Sequence, residues 1–196
     1  MTIRNKLKLV GIVPITLLFL LSAYFFVTSY AKFEQANALK LTLSNNAKLD
    51  KLLLQFGKER GLTSLFLGSE QKKFKEVLDK QRAKTDDILS HTDLKLISDD
   101  NVYLPFIMKL VRETPSSDRM NYTELLTKLK NITHAREKAD TPEPDFKEVY
   151  FDAYTSTYTK PILDTLLQVN NFTLDTEITS LITSLSQLYI AKENVG

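Results

Sequence analysis

Among the 26 Lys and Arg of this 196-residue chain, one stands where an amphipathic helix should be apolar. Residues 49–69 carry the period of a single helix, and Leu49, Leu53, Phe56 and Arg60 fall on one face of it. A guanidinium is thereby aimed at the core. Beside it Gly57, Gly61, Ser64 and Gly68, spaced four, three and four residues apart, form a second stripe with little side-chain bulk. A buried Arg does not shed its proton, and leaving one desolvated and unpaired costs several kcal/mol. Arg60 therefore requires a carboxylate, backbone carbonyls or a bound anion, and the small stripe leaves room for the last. The plainer alternative pairs Arg60 with Glu59 or with a carboxylate from another helix.

A second cation, Lys192, lies seven residues after Leu185 on a heptad-like seam, where it either joins an anion site or snorkels its head into water. Other chemistries are poorly supplied. His91 and His134 are 43 residues apart with no obvious carboxylate partner forming a ligand pair, and Cys is absent, so no metal site is expected. Without a nucleophile elbow, a Gly-rich phosphate loop or paired carboxylates in an apolar setting, neither enzymatic activity nor a cofactor is expected.

These side chains are positioned by a chain of simple organisation. Residues 9–31 run for 23 positions without a charge, enough to cross a hydrocarbon core of about 30 Å as a helix. Arg4, Lys6 and Lys8 precede this run, and the first acidic residue is Glu34, so the positive-inside rule predicts that residues 1–8 are cytoplasmic. The run exceeds the apolar core of a signal peptide, and an uncleaved anchor is expected, with residues 32–196 forming one extracytoplasmic domain. Removing the three basic residues before the span leaves 23 Lys and Arg against 24 Asp and Glu. A near-neutral domain lacks the basic field of a nucleic-acid binder, so any anion must be caught by a local site.

With five Gly, six Pro and no β-alternating run, the domain reads as all-α. The spacing predicts a helix over 32–67 closed at Gly68-Ser69, then helices over 70–90, 102–112, 119–138, 145–170 and 173–195. Residues 114–118 read as a linker and 140–144 as the clearest break. Pro161 is expected to kink or split the aromatic-rich helix containing Phe146, Tyr150, Phe151, Tyr154 and Tyr158. In the last helix Ile178, Leu181, Leu185, Leu188 and Val195 form the predicted seam. Long helices joined by short loops imply a helical bundle.

The run Gln55-Phe56-Gly57-Lys58-Glu59-Arg60-Gly61-Leu62-Thr63-Ser64-Leu65-Phe66-Leu67 resembles the first signature of the nitrate- and nitrite-sensing (NIT) domain, a helical bacterial sensor module with a Lys-Glu-Arg-Gly-Leu core. Tyr154-Thr155 and Tyr158-Thr159 look like its Tyr-Thr helix, and Lys192-Glu193-Asn194-Val195-Gly196 looks like its Lys-Glu-x-x-Gly signature. In the family that signature continues into a second Glu-Arg, whereas this chain stops at Gly196, so a fragment of a longer receptor is expected. Arg136 is similar in position to a basic residue of the family's middle helix. The resemblance implies two packed helical bundles and an anion, nitrate or nitrite, gripped by arginines projecting between long helices.

Together these readings predict the sensory part of a bacterial inner-membrane receptor, such as a chemoreceptor, with its sensor domain in the periplasm and a homodimer as its working form. Arg60, Arg136 and Lys192 are the expected anion ligands, and Gly57, Gly61 and Ser64 the expected pocket residues. The competing reading is a ligand-free helical domain that dimerises or docks a periplasmic partner.

Overall fold

Leu-, Lys- and Glu-rich stretches with few Gly or Pro favour helix throughout, and the computed structural model bears this out. It describes residues 3–94, 122–171 and 176–195, and among these there is no strand. The helices are α1 (Ile3–Gly68), α2 (Lys75–Ser90), α3 (Tyr122–Lys130), α4 (Thr133–Ala139), a π-helical segment (Glu148–Thr159), α5 (Lys160–Leu167), a 3₁₀ turn (Gln168–Asn171) and α6 (Thr176–Val195). The helix expected over 102–112 and the linker at 114–118 lie outside the described residues.

The described chain divides into two compact units, one holding α1 up to Ala38, the other beginning at Leu39. In the first, α1 runs through Pro14 without interruption, and its apolar side chains from Val10 to Phe26 are exposed. An 18-residue window there has a mean hydropathy of 2.3 and no buried residue, so the helix is long and apolar enough to cross a membrane.

In the second unit, one principal core gathers Leu49, Leu52, Leu53 and Phe56 of α1 with Leu89 of α2, Leu125 and Leu129 of α3, and Ala135 and Ala139 of α4. Val149, Tyr154 and Tyr158 of the π-helical segment, Ile162 and Leu166 of α5, and Tyr189 of α6 complete it. A smaller cluster joins Leu39, Val169 and Ile182. The described helices of this second unit thus form a bundle around one main core and one smaller cluster. Full burial of each large aliphatic or aromatic side chain is worth about 1.5–3 kcal/mol. The Phe56 ring stacks on Tyr158 with centroids 5.7 Å apart, which locks the turn of α1 before Arg60 onto the π-helical segment.

Several boundaries differ from the expected ones for local reasons. The helix over 32–67 does end at Gly68, but Gly68 stays helical and the left-handed residues are Glu70 (φ 55°), Gln71 (φ 59°) and, just before α2, Phe74 (φ 69°). Gln71 N–H donates to Phe66 O and Glu70 N–H to Leu67 O, the paired bonds of a Schellman cap. Consequently α2 starts at Lys75 rather than 70. The helix expected over 119–138 is broken at Asn131-Ile132 into α3 and α4. At Pro161 the chain remains helical but changes type, from π to α. Pro161 has no N–H to continue either ladder, so a change of register there forfeits nothing.

The α6 seam is rotated from its expected position. Leu181 and Leu188 are 70% and 51% exposed, whereas Ile182, Ser186 and Tyr189 are buried, with Leu185 partly buried against the core. The sequence is apolar at both i and i+1 along this helix, and the neighbouring helices select the second stripe.

Candidate anion site

Arg60 lies on the buried face of α1 as expected, 3% exposed, in line with Leu49, Leu53 and Phe56. Its surroundings come from two other elements. The π-helical segment presents Thr155 and Thr159, whose Oγ1 atoms accept from Arg60 Nη1 at 3.1 and 3.3 Å. Each threonine donates its own hydroxyl proton backward along the helix, Thr155 to Tyr150 O at 2.8 Å and Thr159 to Thr155 O at 3.1 Å. Both hydroxyls are thereby set as acceptors toward the guanidinium. From α6, Glu193 Oε1 accepts from the same Nη1 at 2.7 Å, and the Tyr150 ring lies 5.0 Å from the guanidinium carbon.

All three acceptors crowd onto Nη1, and Nε of Arg60 is buried without a hydrogen-bond partner. An arginine has two forked edges, each able to take a planar oxyanion in two parallel bonds, and the side-on one runs through Nε. Here that edge has no protein acceptor at Nε. A buried unsatisfied donor on a charged group is costly; Arg82 Nε is likewise buried without a partner, but only Arg60 lies beside the groove that Glu193 lines.

Arg136 uses the same edge in the opposite way. Its Nε donates to Glu59 Oε1 at 2.8 Å and its Nη2 to Glu59 Oε2 at 3.0 Å, a bidentate pair with a carboxylate that is fully buried. Nη1 reaches Asp86 Oδ2 at 2.9 Å, and Nη2 also donates to Arg82 O at 3.3 Å. Tyr154 adds a bond from its hydroxyl to Glu59 Oε1 at 2.9 Å. Burial would lower the Arg136 pKa, but the bonds to Glu59 and then Asp86 outweigh it and the net shift is upward. Burial, followed by the Glu59 charge, pushes the Tyr154 phenol up. Next to this network Arg82 binds Asp140 through both terminal nitrogens, at 2.7 and 3.2 Å.

The expected ligands are therefore not gathered around one point. Arg136 spends its donors on Glu59, Asp86 and Arg82. Lys192 Nζ pairs with Asp50 at 2.7 and 2.8 Å, its side chain 41% exposed, and so reaches partly into solvent from the seam. Lys192 does share a groove of about 480 Å³ with Gly57, Gly61, Lys58 and Glu193, bounded also by Leu54 and Leu65. A Cβ at Gly57 would meet nothing within 4 Å, so this glycine borders open space rather than a close helix contact. Ser64 folds back onto the backbone, donating to Arg60 O at 3.0 Å.

Sequence reasoning missed three partners. Glu193 sits beside Lys192 in the Lys-Glu signature but had no role. Thr155 and Thr159 were visible as the second members of the Tyr-Thr repeats, four residues apart and hence on one helix face. Glu59, considered as a partner for Arg60, serves Arg136 instead, because adjacent residues on a helix point about 100° apart.

Helical among its described residues, this second unit buries a guanidinium at its core; among the described residues no group of acidic or His side chains could hold a metal ion. Residues 51–196 match the family described as nitrate and nitrite sensing (NIT), and the chain belongs to that family. No curated protein and no solved structure matches it.

Proposed function

We propose that this chain is the sensory part of a bacterial membrane receptor that binds nitrate or nitrite at Arg60. The observation that carries this reading is the buried guanidinium whose Nε has no partner, in a family that senses these two anions. Nitrate is planar with three acceptor oxygens and matches the side-on fork. Residues 9–31 serve as the anchor, the domain beyond them faces the periplasm, and the receptor works as a homodimer. Because α1 contains both the apolar run and Arg60, a displacement of α1 on binding passes along one helix to the span. Arg136 acts in this scheme by fixing Glu59 beside Arg60, and Lys192 by holding α6 against Asp50. The output is signalling of the chemoreceptor or sensor-kinase kind, and the sensory part itself acts by binding rather than catalysis.

Isothermal titration of the full chain in detergent tests this: nitrate or nitrite binds the wild type and Arg60→Ala removes the binding. A wild type silent to both anions refutes it.

One observation favours the other reading. Glu193 already neutralises Arg60, as a ligand-free interaction domain would require. In that case neither anion raises the melting temperature of the wild type, whereas a ligand specific to the folded state must raise it.

A further inference from the structure

Glu193 stands between Arg60 and the outside. On one side its carboxylate is 2.7 Å from Arg60 Nη1; on the other it borders the groove of about 480 Å³ that contains Gly57, Gly61, Lys58 and Lys192. Its side chain is 17% exposed and that of Arg60 only 4%, so an anion entering through the groove meets Glu193 before the guanidinium. Both carry one negative charge and both are served by the single positive charge of Arg60. The other nearby charges are committed: Glu59 to Arg136, and Asp50 to Lys192.

We propose that Glu193 is the residue that sets the affinity and selectivity of the site. Its carboxylate is a built-in competitor that an incoming oxyanion must displace from Arg60. This rests on the anion reading above. If Glu193 stayed on Nη1 while an anion took the Nε edge, two negative charges would flank one guanidinium in a water-poor site, where their repulsion is poorly screened. The groove supplies both the space for the carboxylate to swing out and a counter-charge to meet it. Lys58 borders the same groove and makes no ion pair among the described residues. Binding therefore exchanges an α1–α6 salt bridge for an anion bound to α1, with the displaced carboxylate passing to Lys58. Glu193 reaches the guanidinium through Nη1 alone, so an anion that also engages Nε gains a bond that the carboxylate does not make, which favours planar oxyanions over chloride.

The test is isothermal titration of the full chain in detergent with nitrate, nitrite and chloride, comparing wild type, Glu193→Gln and Glu193→Asp, with folding checked by circular dichroism. Glu193→Gln replaces a charged acceptor by a neutral one of the same shape, and the expected result is tighter nitrate or nitrite binding by about tenfold. Glu193→Asp, with its carboxylate drawn back, shifts affinity the same way. Lys58→Ala weakens binding several-fold in the wild-type background and has no effect with Glu193→Gln. Anion binding by the wild type that neither Glu193 variant tightens overturns this proposal alone. Absence of binding by all the proteins overturns the anion reading and this proposal with it.

Discussion

Arg60 and Glu193 are 133 residues apart in the chain and 2.7 Å apart across the bundle. Their pair joins the Lys-Glu-Arg-Gly motif of α1 to the Lys-Glu motif of α6, and Lys192 to Asp50 repeats the connection in the opposite charge sense. The two helices are thus clasped by crossed ion pairs, one largely buried and one half-exposed. A double-mutant cycle of Arg60→Ala and Glu193→Gln, read by urea denaturation of the full chain, is expected to give a coupling of about 1–2 kcal/mol. The corresponding Asp50–Lys192 cycle should fall below about 1 kcal/mol, since its partners are more solvated.

Arg136 is expected to reveal itself in stability. Its removal strands Glu59, fully buried, without its cation, and breaking such a pair costs about 3–5 kcal/mol. Arg136→Ala should therefore lower the urea midpoint sharply. Replacing both partners, as Glu59→Met with Arg136→Met, should recover much of the loss, because the buried charge is then gone as well. A double variant as unstable as Arg136→Ala would show that the pair is worth more than its desolvation.

Gly57→Ala is expected to stabilise the chain. The added methyl meets nothing within 4 Å, and exchanging Gly for Ala in a helix interior gains about 1 kcal/mol. A loss of anion affinity in the same variant would show that the groove needs the missing side chain even though the fold does not.

Glu70 holds a left-handed conformation at φ 55° with a side chain that gains nothing from it apart from an exposed pair with Lys72. Glu70→Gly relieves a strain of about 1 kcal/mol and should raise the melting temperature by a few degrees.

Asp140 links stability to acid. Burial alone would raise its pKa, but the hydrogen bonds from Arg82 and then Lys75 outweigh burial and hold it below the usual carboxylate value. The folded protein thus binds this proton less readily than the unfolded chain. The resulting stability is fully present above the ordinary Asp value and is lost as pH falls through the folded one. Asp140→Asn should flatten the acid limb of a pH–stability profile and leave the neutral region, apart from a constant offset, unchanged in shape.

How far the chain could be read follows the range of the forces involved. An uncharged run over 9–31, the helical period and the placement of Arg60 on the same face as Leu49, Leu53 and Phe56 are local properties, written in consecutive residues. The composition over 140–144 likewise marks a true break, because Pro and Asp act on the backbone beside them. The α6 seam is different: Leu181 and Ile182 are equally apolar, and only the helices packed against α6 decide that Ile182 is buried while Leu181 faces water. So too with partners. Nothing in the spacing says that Glu59 turns to Arg136 and Glu193 to Arg60, since a guanidinium is satisfied by any carboxylate that reaches it. The need of Arg60 for a negative partner is intrinsic to its charge and could be deduced from sequence alone. The identity of that partner is a matter of distance across the bundle, and tertiary packing alone sets which atoms lie within 3 Å.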